Sequence, residues 1–332
     1  MKVGVLQFFS WPGRHGRLED VYARALERIE IMDKGGFDAV WLAEHHFTTF
    51  SVCPSVHMLG VQAAARTRRL RIGTAVSLAA LYHPLRLAEE VALLDVLSGG
   101  RVNWGAGRGF AHSEFAAFGV PVEESADRFR EAVEIVLAAW TQERMNFAGR
   151  HFRFDDIEVM PKPLQKPHPP VWMAATSEGA IDWAASRGFS ILMDPHASFS
   201  ELGAKRQRYH EKLVAAGHSD QARDIPMARL IALGRTTSEA EETARRGAQW
   251  LVGAYAGPQH SHRKTLQPRT YDGKDPVQHY IDSVILHGTP TSVIEQVARL
   301  EQEVDLNYLM CAPLSRETFR LLADEVVPRL VR

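Results

Sequence analysis

The sequence predicts an α/β fold, a closed (β/α)8 or TIM barrel. Three observations predict it. Eight short apolar runs recur from one end of the chain to the other. A segment of helical period follows each run. The chain has 332 residues, long enough for such a barrel with insertions. Strict alternation argues for parallel strands, because each return needs a crossover. An open doubly wound sheet is the structural rival; eight strands suit closure.

The first strand is read at about 2–8 and its helix at about 20–34. In that helix Val21, Ala25, Ile29 and Met32 share one face, while Glu27, Arg28 and Glu30 take others. Gly35-Gly36 ends it. The second strand, about 39–43, is apolar throughout, as a strand covered on both faces must be. A helix at about 54–65 leads to a strand at about 71–76, and a helix at about 84–97 to a strand at about 102–106. A helix at about 125–140 closes the fourth unit. Strands follow at about 171–174, 190–193, 227–233 and 306–311. Their helices are read at about 177–187, 199–216, 238–252 with 290–303, and 315–330.

Two stretches break the alternation. Residues 141–170 hold a hairpin pattern, Phe147 to Phe154, and then five prolines between Pro161 and Pro170. This reads as a rigid insertion after the fourth βα unit. Residues 253–280 are polar and without period, and are expected to form a long mobile loop, either a lid or a disordered segment. The whole chain, 1–332, is read as one domain.

Composition narrows the class. Lys and Arg total 39 against 40 for Asp and Glu, so the basic excess of a nucleic-acid binder is missing. Cys53 and Cys311 are too few for a disulfide framework, which points to a reducing cytoplasm. The opening residues do not read as a signal peptide, and no run reaches the ~20 apolar residues of a membrane span.

In a barrel the chemistry sits where strands end. After the second strand come Glu44, His45 and His46. Side chains alternate along an extended chain, so one imidazole faces the mouth and could move protons near neutral pH. The pair could equally be packing histidines. A metal site is not expected, because no ligand partner stands at a recognised spacing. His260 and His262 read as solvated. After the fourth strand, Gly105 to Phe110 places Arg108 among glycines 105, 107 and 109. Backbone there can approach a ligand while the guanidinium meets an anion. A tight turn with a surface arginine is the plainer reading. After the fifth strand, Ser177 caps a helix whose amides favour phosphate. Arg128, on the helix after Ser125, could add a second positive charge.

Taken together, these residues resemble the bacterial luciferase-like flavin monooxygenases. The likeness runs from Gly36 to Phe47 through the Glu44-His45-His46 motif, then His83-Pro84, Glu89-Glu90, Asp95, Ser98 to Arg101 and Gly105 to Gly109. It resumes at Pro170-Val171-Trp172 to Gly188 and at Gly288-Thr289-Pro290. The resemblance implies reduced FMN as a diffusible co-substrate from a separate flavin reductase. Oxygen would add at the flavin C4a, and the resulting peroxide would oxidise a small organic substrate. It implies His45 as the catalytic group, with Glu44 or His46 in support. It implies phosphate contacts from Arg108 and Arg128. Gly107, Gly109, Phe110, Ala174, Thr176, Ser177 and Ala180 would complete the pocket. It implies a non-proline cis peptide at Ala75-Val76, and an apolar floor of Phe8, Trp41, Ala75 and Val76. A homodimer, or a heterodimer with a related subunit, is implied as well. Luciferases carry Cys where this chain has Gly107 and Glu where it has Thr176. The glycine is expected to leave more room beside the flavin, and light emission is not expected. Two other readings stay open: a non-catalytic flavin-binding or partner subunit, and a deazaflavin-dependent dehydrogenase on the same barrel.

Overall fold

The structure, a computed structural model, describes residues 1–220, 223–256, 273 and 275–331. All eight expected strands are present: β1 Lys2–Gln7, β2 Ala39–Leu42, β3 Arg71–Thr74, β4 Val102–Gly107, β5 Val171–Ala174, β6 Ser190–Leu192, β7 Pro226–Leu233 and β8 Tyr308–Pro313. Neighbours pair in parallel from β1 through β6, and β8 pairs with both β1 and β7. The ring closes just past β6. There the Met193 amide donates to Pro226 O at 3.0 Å and Met193 O accepts from the Ala228 amide at 3.3 Å. The curled sheet is therefore a closed barrel, not the open rival.

Strand alternation divides the apolar residues into two layers. On β2, Val40 and Leu42 face the surrounding helices, while Ala39 and Trp41 face the inside with Trp172, Leu230 and Tyr308. Trp41 is wide, and β3 makes room for it with glycine: a Cβ on Gly73 would lie 2.3 Å from Trp41 Cε3. The indole N–H donates to the Tyr308 hydroxyl at 3.0 Å, which donates in turn to Asp38 at 2.7 Å. Outside, the first helix, Leu18–Lys34, buries Val21, Ala25, Ile29 and Met32. Each of its larger apolar side chains contributes about 1.5–3 kcal/mol on burial.

The insertion after the fourth unit holds the expected hairpin, Met145–Ala148 against Arg153–Ile157. Its proline-rich part is tied down by buried Asp95, which accepts from the Gln165 backbone and side-chain amides at 2.9 and 2.7 Å.

The loop expected at 253–280 needs correction at both ends. The helix after β7 runs Thr237–Ala256, and a further helix spans Pro276–Ser283, started by an Asp275 cap at 2.8 Å and a first-turn proline. Most of the intervening residues, with His260 and His262, lie outside the described residues. Other elements were not anticipated, two of them close to the mouth or to β7. The strand Leu286–Gly288 pairs with the end of β7, and the short helix His112–Ala117 follows the glycine-rich turn. Among the described residues, no helix is long and apolar enough to cross a membrane.

Candidate active site at the barrel mouth

His45 and Arg108 both follow the C-terminal ends of parallel strands, β2 and β4, so they stand on the same rim. Alternation separates His45 from its neighbours. Its half-buried ring lies among Phe8, Phe50 and Phe110, with centroids 6.1, 5.1 and 6.2 Å away. Phe110 belongs to the glycine-rich turn and joins the two strand ends. The His45 amide donates to Cys53 O at 3.0 Å, which fixes the ring's base.

Glu44 and His46 point the other way. They bond each other, Nε2 to Oε1 at 2.9 Å, rather than standing behind His45 as support. The fully buried Glu44 carboxylate also accepts from the Tyr82 hydroxyl at 3.0 Å and the Leu78 amide at 3.2 Å. Burial, and then the charge of Glu44, push the Tyr82 phenol up. The His46 amide donates to Glu114, and its ring meets Phe118 at 4.8 Å. A buried carboxylate with several donors is held firmly, since removing a partner leaves an uncompensated charge.

At the end of β4 the charge pattern is reversed. Arg108 is half-buried and has no hydrogen bond or ion pair among the described residues. Burial alone pulls its guanidinium below the ordinary arginine value. A partly desolvated cation without a counter-ion is costly unless a ligand supplies one.

Next to it, the expected room at Gly107 is not there. A Cβ on Gly107 would lie 2.4 Å from Val76 Cγ2 and 3.5 Å from Ala174 Cβ. Val76 has taken the space, and it follows the Ala75-Val76 cis peptide that the structure contains. Gly107, Val76 and Ala174 thus form one small apolar surface. Gly109 adopts φ +90°, which a side chain would resist.

Across β5, the Ser177 hydroxyl caps the helix Glu178–Ser186 by accepting from the Ala180 amide at 3.4 Å. Thr176 is exposed on its approach. The helix bearing Arg128, Ser125–Thr141, packs beside that helix through Phe129 and Trp183, 5.5 Å apart. Arg128 itself gives its Nε to Glu124 at 2.8 Å and lies over the Phe152 ring. Of the two arginines, Arg108 is the one without an acidic partner among the described residues.

Sequence reasoning missed the aromatic wall. Phe50 stacks on Trp250 at 4.8 Å, 11° from parallel. It also missed Arg229, fully buried on β7, whose guanidinium donates to Ala197 O and Asp194 O at 2.7 and 2.8 Å. A lone arginine in the run Met227–Leu233 was the available signal.

A family model described as luciferase-like monooxygenase matches residues 1–305. The chain belongs to this family of flavin-dependent monooxygenases. It is 32% identical over 294 residues to the uncharacterized protein y4wF of Sinorhizobium fredii, covering 87% of this chain and 84% of that one. It is 29% identical over 234 residues to the oxygenase component of the flavin-dependent trigonelline monooxygenase of Acinetobacter baylyi, covering 68% and 62%. Among solved structures, the monooxygenase RslO1 of Streptomyces bottropensis superposes with a TM-score of 0.84 at 26% identity, over 99% of this chain and all of that one. The fold is shared more distantly, at 19% and 20% identity, with the FMN-bound oxygenating constituent of 3,6-diketocamphane monooxygenase from Pseudomonas putida and with an F420-dependent secondary alcohol dehydrogenase. Their TM-scores are 0.81 and 0.78, over 99% and 100% of this chain and 99% of each of theirs.

Proposed function

We propose that this chain is the oxygenase of a two-component system, taking reduced FMN from a separate reductase and using oxygen to oxidise a small organic substrate. The observation that carries this reading is Arg108, a half-buried guanidinium without a counter-ion among the described residues, on the same rim as His45. The names of the relatives add weight, one being an oxygenase component and another an FMN complex.

The residues present fit the phosphate tail of such a cofactor. Arg108 supplies charge, the turn through Gly109 lets backbone come close, and the Ser177-capped helix offers amides. Arg128, on the helix packed beside the Ser177-capped one, is a second candidate donor once released from Glu124. Bound reduced flavin supplies the electrons that activate oxygen. Gly107, Val76 and Ala174 give its ring an apolar surface. Phe8, Phe50 and Phe110 keep water from His45, which exchanges a proton with the reacting groups.

The test is an anaerobic titration with oxidised and reduced FMN, with a deazaflavin in parallel, followed by admission of oxygen and a screen of aldehydes, ketones and aromatic compounds. Reduced FMN is expected to bind and to support substrate oxidation. His45→Ala should keep flavin binding and lose turnover by about 10²- to 10⁴-fold. Failure of both redox states of FMN to bind removes the proposal, and preferential binding of the deazaflavin replaces it with the dehydrogenase reading.

A further inference from the structure

On the side of the mouth away from Arg108 lies a cavity of about 330 Å³. It opens between the ends of β1 and β8, the first helix and the helix Thr237–Ala256. Its outer end is cationic, lined by Arg24, Arg28 and Arg246. Its inner end is aromatic, lined by Phe8 and Trp250. His45 does not itself line the cavity but lies beyond this aromatic end. Phe8 is 6.1 Å from the His45 ring, and Trp250 stacks on Phe50, itself 5.1 Å from His45.

Two of the three charges at the outer end are not neutralised among the described residues. Arg246 is balanced by Glu242 one turn away. Arg28 is half-buried, lies 5.3 Å over the Phe319 ring, and has no hydrogen bond or ion pair among the described residues. Burial first, then the charges of Arg24 and Arg316, lower its affinity for its proton. The acid that acts on it is Glu27, the adjacent residue on the same helix, which points about 100° away around the axis. Arg24 likewise has no partner among the described residues. A second observation is independent of charge. Gln7 lines the same cavity, is 3% exposed, and its Oε1 is buried without a donor among the described residues. That acceptor calls for a donor, so it fits a hydroxyl or a water beside a bound acid and not the carboxylate itself.

We infer that the substrate is a small carboxylic acid whose carboxylate is bound by Arg28, with Arg24 and Arg246 alongside, and whose apolar end reaches past Phe8 and Trp250 toward His45. This rests on His45 being the working group of the proposed function, and it names the substrate class for that site. Guanidinium groups suit carboxylates because the two planes match in a bidentate pair. The apolar stretch between the arginines and His45 sets the reacting carbon away from the acid group, so oxidation falls on the far end of the molecule.

The test is calorimetric titration of the flavin-free chain with benzoate and octanoate, against benzamide and octanamide as neutral matches. The acids should bind at least about tenfold more tightly than the amides, as a charge-assisted pair requires. Arg28→Gln and the double variant Arg24→Gln/Arg28→Gln should weaken acid binding by about tenfold or more, with amide binding unchanged. Raising the salt concentration should weaken acid binding alone, an arm that needs no variant. Equal affinity for acid and amide, no acid binding, or acid binding indifferent to both salt and the arginine substitutions overturns the inference. The same samples titrated with FMN separate the two claims. Acid binding without FMN binding sinks the flavin reading and spares the cavity, and FMN binding without acid binding does the reverse.

Discussion

Two strand ends on one rim handle charge in opposite ways. At the end of β2, the buried Glu44 is held by His46, Tyr82 and the Leu78 amide. At the end of β4, Arg108 is half-buried and holds nothing among the described residues. The first arrangement contributes to folding and fixes a loop. The second contributes nothing to folding that a neutral side chain would not, and keeps its binding capacity for a ligand. The adjacent imidazoles lie in different surroundings: His46 is bonded to Glu44, while His45 lies among the rings of Phe8, Phe50 and Phe110.

The largest expected effect tests the paired end. Glu44→Leu strands several donors and should cost about 3–5 kcal/mol in denaturant unfolding, whereas Glu44→Gln, which keeps an acceptor, should cost about 1–2 kcal/mol. Equal, small losses would show that the network does not hold the loop. Arg108→Met tests the other end and should separate binding from stability. FMN affinity should fall by about tenfold to a hundredfold. Stability without flavin should stay level or rise by up to about 1 kcal/mol. A large loss of stability in that variant would erase the contrast between the two ends.

Much of this was legible in the residues, for identifiable reasons. Covered strands must be continuously apolar, so all eight barrel strands could be read from runs such as Ala39–Leu42. Period-two alternation separated His45 from His46 before any coordinates. Helix caps could also be read, Ser177 among them. The strand Leu286–Gly288 could not, because it has three residues and exists only by pairing with the overhanging end of β7. The helix Pro276–Ser283 was hidden in polar sequence, although Asp275 before Pro276 was a start signal. The wall of Phe50 and Trp250 joins residues far apart in sequence, which no local period reports. The same limit made Gly107 misleading: its missing side chain spoke of space, and only the fold shows Val76 filling it.

That correction yields a sharper test at the boundary between the two ends. Gly107→Ala puts a methyl group 2.4 Å from Val76 Cγ2, in packed surroundings, and should cost about 1–3 kcal/mol. Val76→Ala should relieve the clash, so the double variant should be more stable than the sum of the single changes predicts, by about 1 kcal/mol or more. Strict additivity in thermal or denaturant unfolding would mean that Val76 does not define the space beside Gly107.

The smallest expected effect concerns pH, and it extends the paired region one layer deeper. His57 bridges Ser77, the residue after Val76, and Glu90, at 3.0 Å to each. The His57 hydrogen bond is the main cause holding the Glu90 carboxyl below its usual range, with Arg86 assisting. A carboxylate held low in the folded state adds stability above the unfolded value, about 4.3 for Glu, and that stability is lost as pH falls through the folded value. Unfolding free energy should therefore fall as pH drops below about 4.3, and Glu90→Gln should flatten that fall by no more than about 0.5 kcal/mol, since Glu90 is partly exposed and screened. Because Arg108 does not titrate in this window, its substitution should leave the acid limb unchanged. If Arg108→Met flattened it and Glu90→Gln did not, the region of paired charges would have been drawn on the wrong side of the mouth.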